Sequence, residues 1–343
     1  MQQPEYLDAL RRMSARVGRN IELVQAAGGN SSLKCNDLLW VKASGTWLAD
    51  AQTEAIFVPV LLSGARAALA SGNERMPLAP DQGEITLRAS VETSLHALLP
   101  HPVVLHVHGV NSIAWSAIRG AEAELAGRLR GLAWRRLDYI RPGLPLTQGL
   151  SQITAEGPVD VLILGNHGLV VGAETPDGAD ALVAEVERRL ALQPRPAPEG
   201  DLAALRSLCV GTDYRLPKDP RCHYLATEPH NLAIATKGSL YPDHVVVLGP
   251  ALPRLAPGES LAAMTARVRA EGVPPPVALL LPGQGAILRR DATSAAEPLL
   301  VCLALVVSRI PTDIEITYLQ AAEEQALLDW DAEHYRRQMM AAR

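Results

Sequence analysis

Apolar positions near the start of the chain recur at helical spacing. Leu7, Leu10, Met13 and Val17 fall on one face of a helix predicted over Tyr6–Val17, which Gly18 can end. The pattern then shortens. Leu38–Val41 and Ile56–Val60 read as strands, the second followed by a short helix near Leu61–Ala70. Ser90–Leu99 reads as a short helix capped by Ser90 and stopped by Pro100 and Pro102. Val103-Val104-Leu105 leads a buried strand into His106-Val107-His108-Gly109. Asn111–Ile118 predicts a helix capped by Asn111, Leu137–Ile140 a strand, and Val159–Leu164 another strand. Thr175-Pro176-Asp177 opens a helix through Val183, Val186 and Leu190, with a capping Thr, Pro at the first position and an acid in the first turn.

Pro-rich Gln193–Gly200 is the clearest linker, and the pattern restarts beyond it. The expected elements there are a helix over Asp201–Leu208, strands over Tyr241–Gly249 and Val277–Leu288, an apolar helix over Ser294–Val307 and a polar helix over Glu323–Met339. The expected division is residues 1–192, a linker at 193–200, and a smaller α/β domain at 201–343.

Candidate chemistry gathers around the third of these strands. Alternate residues of a strand share a face, so His106 and His108 point one way and Val107 the other. Alone, this pair fits two hydrogen-bonded histidines in a half-buried strand equally well. His167, flanked by Gly165 and Gly168 after the predicted strand Val159–Leu164, changes that reading: three neutral imidazole nitrogens with an open position suit a metal. Glu92 and His96 are helix-face neighbours one element earlier, which makes Glu92 the acid–base candidate or else an ordinary solvated glutamate. Gly28-Gly29-Asn30-Ser31-Ser32 exposes backbone N–H groups and small donors, as an anion pocket or a plain turn does. Of only four lysines, Lys34 and Lys42 fall in this region; they are anion partners or surface strand lysines.

Composition narrows the field. A chain of 343 residues with 48% hydrophobic positions can bury sizeable cores. Its net charge of −5 gives no electrostatic case for nucleic acid or an acidic membrane. No apolar run reaches spanning length, and the polar start, Met1 to Arg12, does not read as a secretory leader. Cys35, Cys209, Cys222 and Cys302 are scattered, as reduced thiols of a cytoplasmic protein are.

Five motifs occur in one order: Gly29-Asn30-x-Ser32, Ala43-Ser44-Gly45, Glu92-x-x-x-His96, His106-x-His108 and Asn166-His167-Gly168. Over about residues 5–192 the chain thereby resembles the class II aldolase/adducin family. The wording Val41-Lys42-Ala43-Ser44-Gly45-Thr46-Trp47-Leu48 and Tyr241-Pro242-Asp243-His244-Val245-Val246 is most similar to the aldolase part of predicted bifunctional rhamnulose-1-phosphate aldolase/dehydrogenase proteins. The resemblance implies a three-layer α/β/α fold with a mostly antiparallel sheet, in a cyclic homotetramer. It implies a divalent metal, usually zinc, on His106, His108 and His167. It makes Glu92 the catalytic acid/base, with Asn30, Ser44, Gly45 and Ser90 lining an anion pocket.

The activity implied is cleavage or formation of a C–C bond in a sugar phosphate or sugar acid, through a metal-stabilised enediolate. Epimerase or decarboxylase chemistry on the same site, or a non-catalytic adducin-like role, are the alternatives. Gly-x-Gly-x-x-Gly is absent, so no nicotinamide site is expected. Fuculose-type aldolases carry Ser-Ser-Glu where this chain has Ser90-Val91-Glu92, so one phosphate donor is missing; Lys34 or Lys42 can compensate, or the anion is a carboxylate.

The second half carries two apparent echoes of the first. Leu279–Leu288 parallels Leu162–Val171, and His244–Pro250 parallels Pro102–His108. A half-repeat is expected on that ground. It would lack metal, because Leu248, Pro250 and Gln284 stand where the histidines stand.

Overall fold

The computed structural model describes residues 6–79 and 87–341. The segments 1–5, 80–86 and 342–343 lie outside the described residues, and with them the first residues of the polar start read above.

Seven strands form one sheet: β1 (Asn30–Cys35), β2 (Leu38–Lys42), β3 (Phe57–Leu61), β4 (Val103–Val107), β5 (Trp134–Leu137), β6 (Val161–Leu164) and β7 (Gly168–Ala173). Their order is β3-β2-β1-β4-β7-β6-β5, and every pairing except β5 with β6 is antiparallel. The pleat sorts side chains into two layers. Val103, Leu105 and Val107 share a core with Leu7, Leu10 and Met13 of the helix Leu7–Gly18, and with Val183 and Val186 of the helix Pro176–Arg189. Val104 and Val170 face Leu95 and Leu146 on the opposite side. The result is a three-layer α/β/α sandwich with a mostly antiparallel central sheet. His106 projects with Val104, away from Val107, as the alternation requires.

The second half carries a three-stranded sheet in the order β8 (Tyr214–Arg215), β10 (Gly285–Arg289), β9 (Ala278–Leu281). Its core element is the helix Ala296–Arg309, whose apolar residues from Leu299 to Val307 are all buried. This helix does not sit in a separate core. Leu299, Leu303 and Val306 belong to the same apolar cluster as Ile113, Ala114 and Ala117 of the helix Val110–Ala117, which follows β4 directly. The segment 193–200 has no helix or strand, but it is pinned rather than free. The Arg195 amide donates to Ser308 O at 2.7 Å, and its guanidinium donates to Ile310 O at 2.6 Å and Asn231 Oδ1 at 2.8 Å.

Several expected elements differ. Tyr241–Gly249 is not a strand: His244–Leu248 forms one turn of π-helix, every residue of it buried. A short β-branched run buried on all sides looks alike in either conformation, because no polar face marks the period. The parallel between His244–Pro250 and Pro102–His108 therefore fails, and β8 occupies the edge where the second copy would pair. The other parallel holds in form. β9 and β10 make an antiparallel hairpin closed between Leu281 and Gly285, as β6 and β7 are closed between Leu164 and Gly168. Val277–Leu288 is accordingly two strands. Leu137 ends β5, so Asp138–Ile140 are outside it. The polar tail splits at Trp330 into the helices Ala321–Leu328 and Asp331–Ala341. Among the described residues, no helix is long and apolar enough to cross a membrane.

The helix after β4 is not capped by Asn111. Its first donors are taken by the buried Glu187 carboxylate, which accepts from the amides of Asn111 at 3.3 Å and Ser112 at 3.2 Å. The Asn111 side chain instead accepts from the Leu192 amide at 3.1 Å. An anion at a helix N-terminus also complements the dipole. Replacing Glu187 by Ala leaves two buried N–H groups without an acceptor. We expect a loss of roughly 1–3 kcal/mol per unsatisfied group, read as a lower urea midpoint; an unchanged midpoint would show that water or another group takes over the cap.

Candidate metal centre

Antiparallel pairing of β1 with β4 sets Asn30 directly opposite His106. The β6–β7 turn brings His167 to the same end of the sheet, with Asn166 at a positive φ of 48°. Asn166 fixes that turn by donating to Leu240 O at 3.0 Å and Thr317 O at 2.8 Å, both in the second half. His106, His108 and His167 are thereby gathered with one potential ligand atom each within 4.8 Å of one another, all buried.

The outer nitrogens determine what the inner ones do. His106 Nδ1 is 3.0 Å from Leu169 O, which can only accept, so Nδ1 carries the proton. His108 Nδ1 lies 3.1 Å from Asp243 Oδ2, a charge contact rather than an aligned hydrogen bond, and the carboxylate favours the tautomer with its proton on that nitrogen. Both Nε2 atoms are then bare lone pairs, and they lie only 3.1 Å apart. Two lone pairs at that distance repel unless a cation sits against them. Glu92 joins the cluster at 3.5 Å from His106 Nε2 and 3.6 Å from His167 Nε2. Its Oε1 is buried and has no hydrogen-bond partner. These residues fit a divalent metal: three nitrogen donors, one carboxylate, and inward lone pairs that nothing else neutralises.

Electrostatics keep the donors in the ligating form. Burial lowers His167 to about 3 despite the pull of Glu92, and lowers His106 as well. For Glu92, burial pushes upward, but His106, His167, the Asn30 amide and His108 together outweigh it and bring the carboxyl down to about 2. Asn30 Nδ2 donates to Glu92 Oε2 at 2.7 Å, and its Oδ1 accepts from His96 Nε2. His96 Nδ1 in turn meets Ser32 Oγ at 2.7 Å. His96 is neutral, lowered to about 3 chiefly by burial.

The expected anion residues separate into two groups. Lys42, Ser44, Gly45 and Ser90 line the same small cavity, of about 40 Å³, as Asn30, Glu92, His108 and His167. Lys42 is buried there and donates to Ala27 O at 2.8 Å. Lys34 does not reach the cavity. It lies farther along β1, donates to His101 O at 2.6 Å, and is lowered to about 7 by burial and by Arg66. It shares the right face of β1 but the wrong end, which strand alternation alone cannot distinguish. Asn30 orients Glu92 and His96 rather than presenting a free donor. The Gly28 amide is likewise taken, by Gln25 O at 2.9 Å.

Four residues of the second half line the cavity without having been expected: Pro242, Asp243, Glu333 and Arg336. Asp243 lies in the Tyr241–Val246 wording that carried the resemblance, but a strand assignment gave its carboxylate no direction. Arg336 and Glu333 read as ordinary polar positions of a terminal helix.

A family model described as class II aldolase and adducin N-terminal domain matches residues 9–193. The chain is 25% identical over 197 residues to the uncharacterized oxidoreductase YuxG of Bacillus subtilis (strain 168), covering 51% of this chain and 28% of that one. It thus spans well under half the length of that relative. Among solved structures it is similar to the N-terminal class II aldolase domain of a conserved protein from Thermoplasma acidophilum, at 24% identity and TM-score 0.46, covering 55% of this chain and 94% of that one. It is also similar to the L-fuculose-1-phosphate aldolase of Thermus thermophilus, at 18% identity and TM-score 0.39, covering 55% and 92%.

The buried histidines set an acid limit on the fold. His96, His167 and His244 are each lowered from 6.5 to about 3 by burial, so between those values the unfolded chain binds protons that the folded chain refuses. Glu92, lowered from 4.5 to about 2, acts in the same direction at lower pH. Stability of the metal-stripped protein is therefore full above about 6.5 and falls as the pH drops toward about 3. Urea midpoints measured at pH 7 and pH 4.5 check this, and equal midpoints would contradict it.

Proposed function

This chain belongs to the class II aldolase and adducin family, and from that premise we propose that it is a divalent-metal-dependent aldolase acting on a sugar phosphate or sugar acid. The observation that carries the reading is the Glu92 carboxylate, buried with one unpartnered oxygen against three converging imidazoles. His106, His108 and His167 would hold the ion; zinc suits three imidazoles and an oxygen donor. Bound there, the ion supplies Lewis-acid polarisation of a substrate carbonyl and an adjacent hydroxyl.

The remaining work belongs to the chain. Glu92 is ionised across the physiological range, so it can take the hydroxyl proton of the aldol at Oε1 as the C–C bond breaks. It returns that proton to the carbon that has lost its partner, which balances the cleavage. Asn30 holds Oε2, leaving Oε1 without a hydrogen-bond partner, 3.6 Å from His167 Nε2. Ser44, Gly45, Ser90 and Lys42 are the candidates for the substrate's anionic group. Beyond Ser44, Ser90 and Val91 a larger cavity of about 800 Å³ opens past Trp330 and Tyr335, which supports a carbohydrate-sized occupant. Val91 adds no donor, so a carboxylate competes with a phosphate as the anion.

A non-catalytic adducin-like role has no use for three converging imidazoles and an ionised buried carboxylate. Those groups are costly to bury unless something binds them.

We expect one divalent ion per chain by elemental analysis, lost in His108→Ala; full occupancy in that variant would remove the assignment. Glu92→Gln is expected to keep fold and metal while losing about 10²–10⁴-fold in C–C cleavage. The assay follows pyruvate or dihydroxyacetone phosphate released from a panel of phosphorylated and unphosphorylated aldols. Near-full turnover by that variant on a cleaved substrate would take the acid–base role away from Glu92.

A further inference from the structure

We infer that Asp243, clamped by Arg336, is a positioning group for the metal ligand His108, so that the second half of the chain completes the metal centre. This rests on the metal reading above and extends it to residues outside the matched domain.

Three independent features converge on the contact. Asp243 Oδ2 stands 3.1 Å from His108 Nδ1, with both side chains nearly inaccessible, at 2% and 6%. The carboxylate is held from behind by a fork: Arg336 Nη1 donates to Oδ1 at 2.5 Å and Nη2 to Oδ2 at 2.9 Å. Glu333, one helical turn before Arg336, approaches the same guanidinium at 3.4 Å. The first half makes room for this arrangement at Gly28. A Cβ there would lie 2.7 Å from Asp243 Oδ2 and 2.7 Å from His108 Nδ1, closer than such atoms approach in proteins.

The chemistry of the pair gives it a direction. A carboxylate against Nδ1 favours the tautomer that carries its proton there and presents the Nε2 lone pair inward. His106 gets only a neutral carbonyl for the same purpose, from Leu169. His108 is therefore the ligand whose strength depends on a formal charge, and that charge comes from the second half. Arg336 keeps Asp243 ionised and immobile in a site where an unpaired carboxylate would be expensive. The turn of π-helix at His244–Leu248 starts immediately after Asp243 and anchors it from the chain side. A simple fastening of the terminal helix Asp331–Ala341 would need the Arg336–Asp243 pair. It would not need that carboxylate to be shared with a ligand's outer nitrogen, or the backbone to be bare at Gly28.

The test uses the full chain, stripped of metal and titrated with Zn²⁺ against a competing chelator, and with Co²⁺ followed by its visible absorption. Wild type, Asp243→Asn, Arg336→Gln, Arg336→Lys and Gly28→Ala are compared, and unfolding midpoints are measured without metal. Loss of such a supporting partner typically weakens metal binding about 10–100-fold, and we expect that for Asp243→Asn and Arg336→Gln. Arg336→Lys keeps the charge without the fork and is expected to lose less. Gly28→Ala is expected to weaken binding with Asp243 and Arg336 both intact. The Co²⁺ spectrum shifts in every weakened variant. If variants lower the metal-free midpoint but bind Zn²⁺ within about twofold of wild type with an unchanged Co²⁺ spectrum, the role is only structural and the inference is overturned. Should Asp243→Asn not fold, the two Arg336 variants decide, since they alter a terminal helix outside the seven-stranded sheet. Wild type that binds neither ion overturns the metal reading itself, a result distinct from failure of the variants alone.

Discussion

Two imidazole nitrogens held 3.1 Å apart in a buried pocket, beside a carboxylate oxygen with no partner, form the constraint around which the molecule is arranged. Each contributing group is costly in isolation. Burial disfavours a charge on His106 and His167, and an ionised Glu92 is stable there only because its neighbours compensate. Leu169 O fixes the His106 tautomer from outside, and the Asp243 carboxylate 3.1 Å from His108 Nδ1 favours the same tautomer there, so a proton shift that relieved the approach would itself be opposed. A site with these properties is preorganised for a small cation, since the cost of orienting the donors is met by the fold before anything binds.

That preorganisation explains why the two halves of the chain share a core. The helix Val110–Ala117 leaves the strand that carries His106 and buries Ile113, Ala114 and Ala117 against the helix Ala296–Arg309. The histidine turn is tied to the second half through Asn166, and His108 through Asp243. The segment 193–200, proline-rich as a flexible linker is, is pinned by Arg195 for the same reason. Freedom between the halves would loosen the contacts that set the histidine orientations. Arg336 and Glu333 then cover the cavity on the remaining side.

Local periodicity was a good guide wherever one face of an element meets water and the other a core. The amphipathic N-terminal helix, the Thr175-capped helix and the alternation along β4 all follow from that asymmetry. It was a poor guide where an element is buried all round. Val245, Val246 and Val247 make apolar contacts on every side, so their β-branched character pointed to a strand while the packing favoured a helical turn. The half-repeat was built partly on that segment and fell with it. The Lys34 assignment failed for a different reason: alternation gives the face of a strand and says nothing about which end the site occupies.

The histidine cluster was written in the chain itself. Two residues of one strand separated by one position must share a face, and a histidine between glycines at the end of a neighbouring strand can approach them closely. Those are consequences of backbone geometry over short spans, and they hold before any packing is known. The groups packed behind these histidines were decided only by the tertiary structure. Asp243 follows a proline before a buried turn, and Arg336 sits in a terminal helix whose composition looks solvated; neither has a local pattern that marks it as buried. Their pairing accompanies the burial of the helix Ala296–Arg309, which packs the second half against the helix Val110–Ala117. A charge becomes a structural partner of a distant imidazole only once water has been removed from between them, and no span of sequence records that removal.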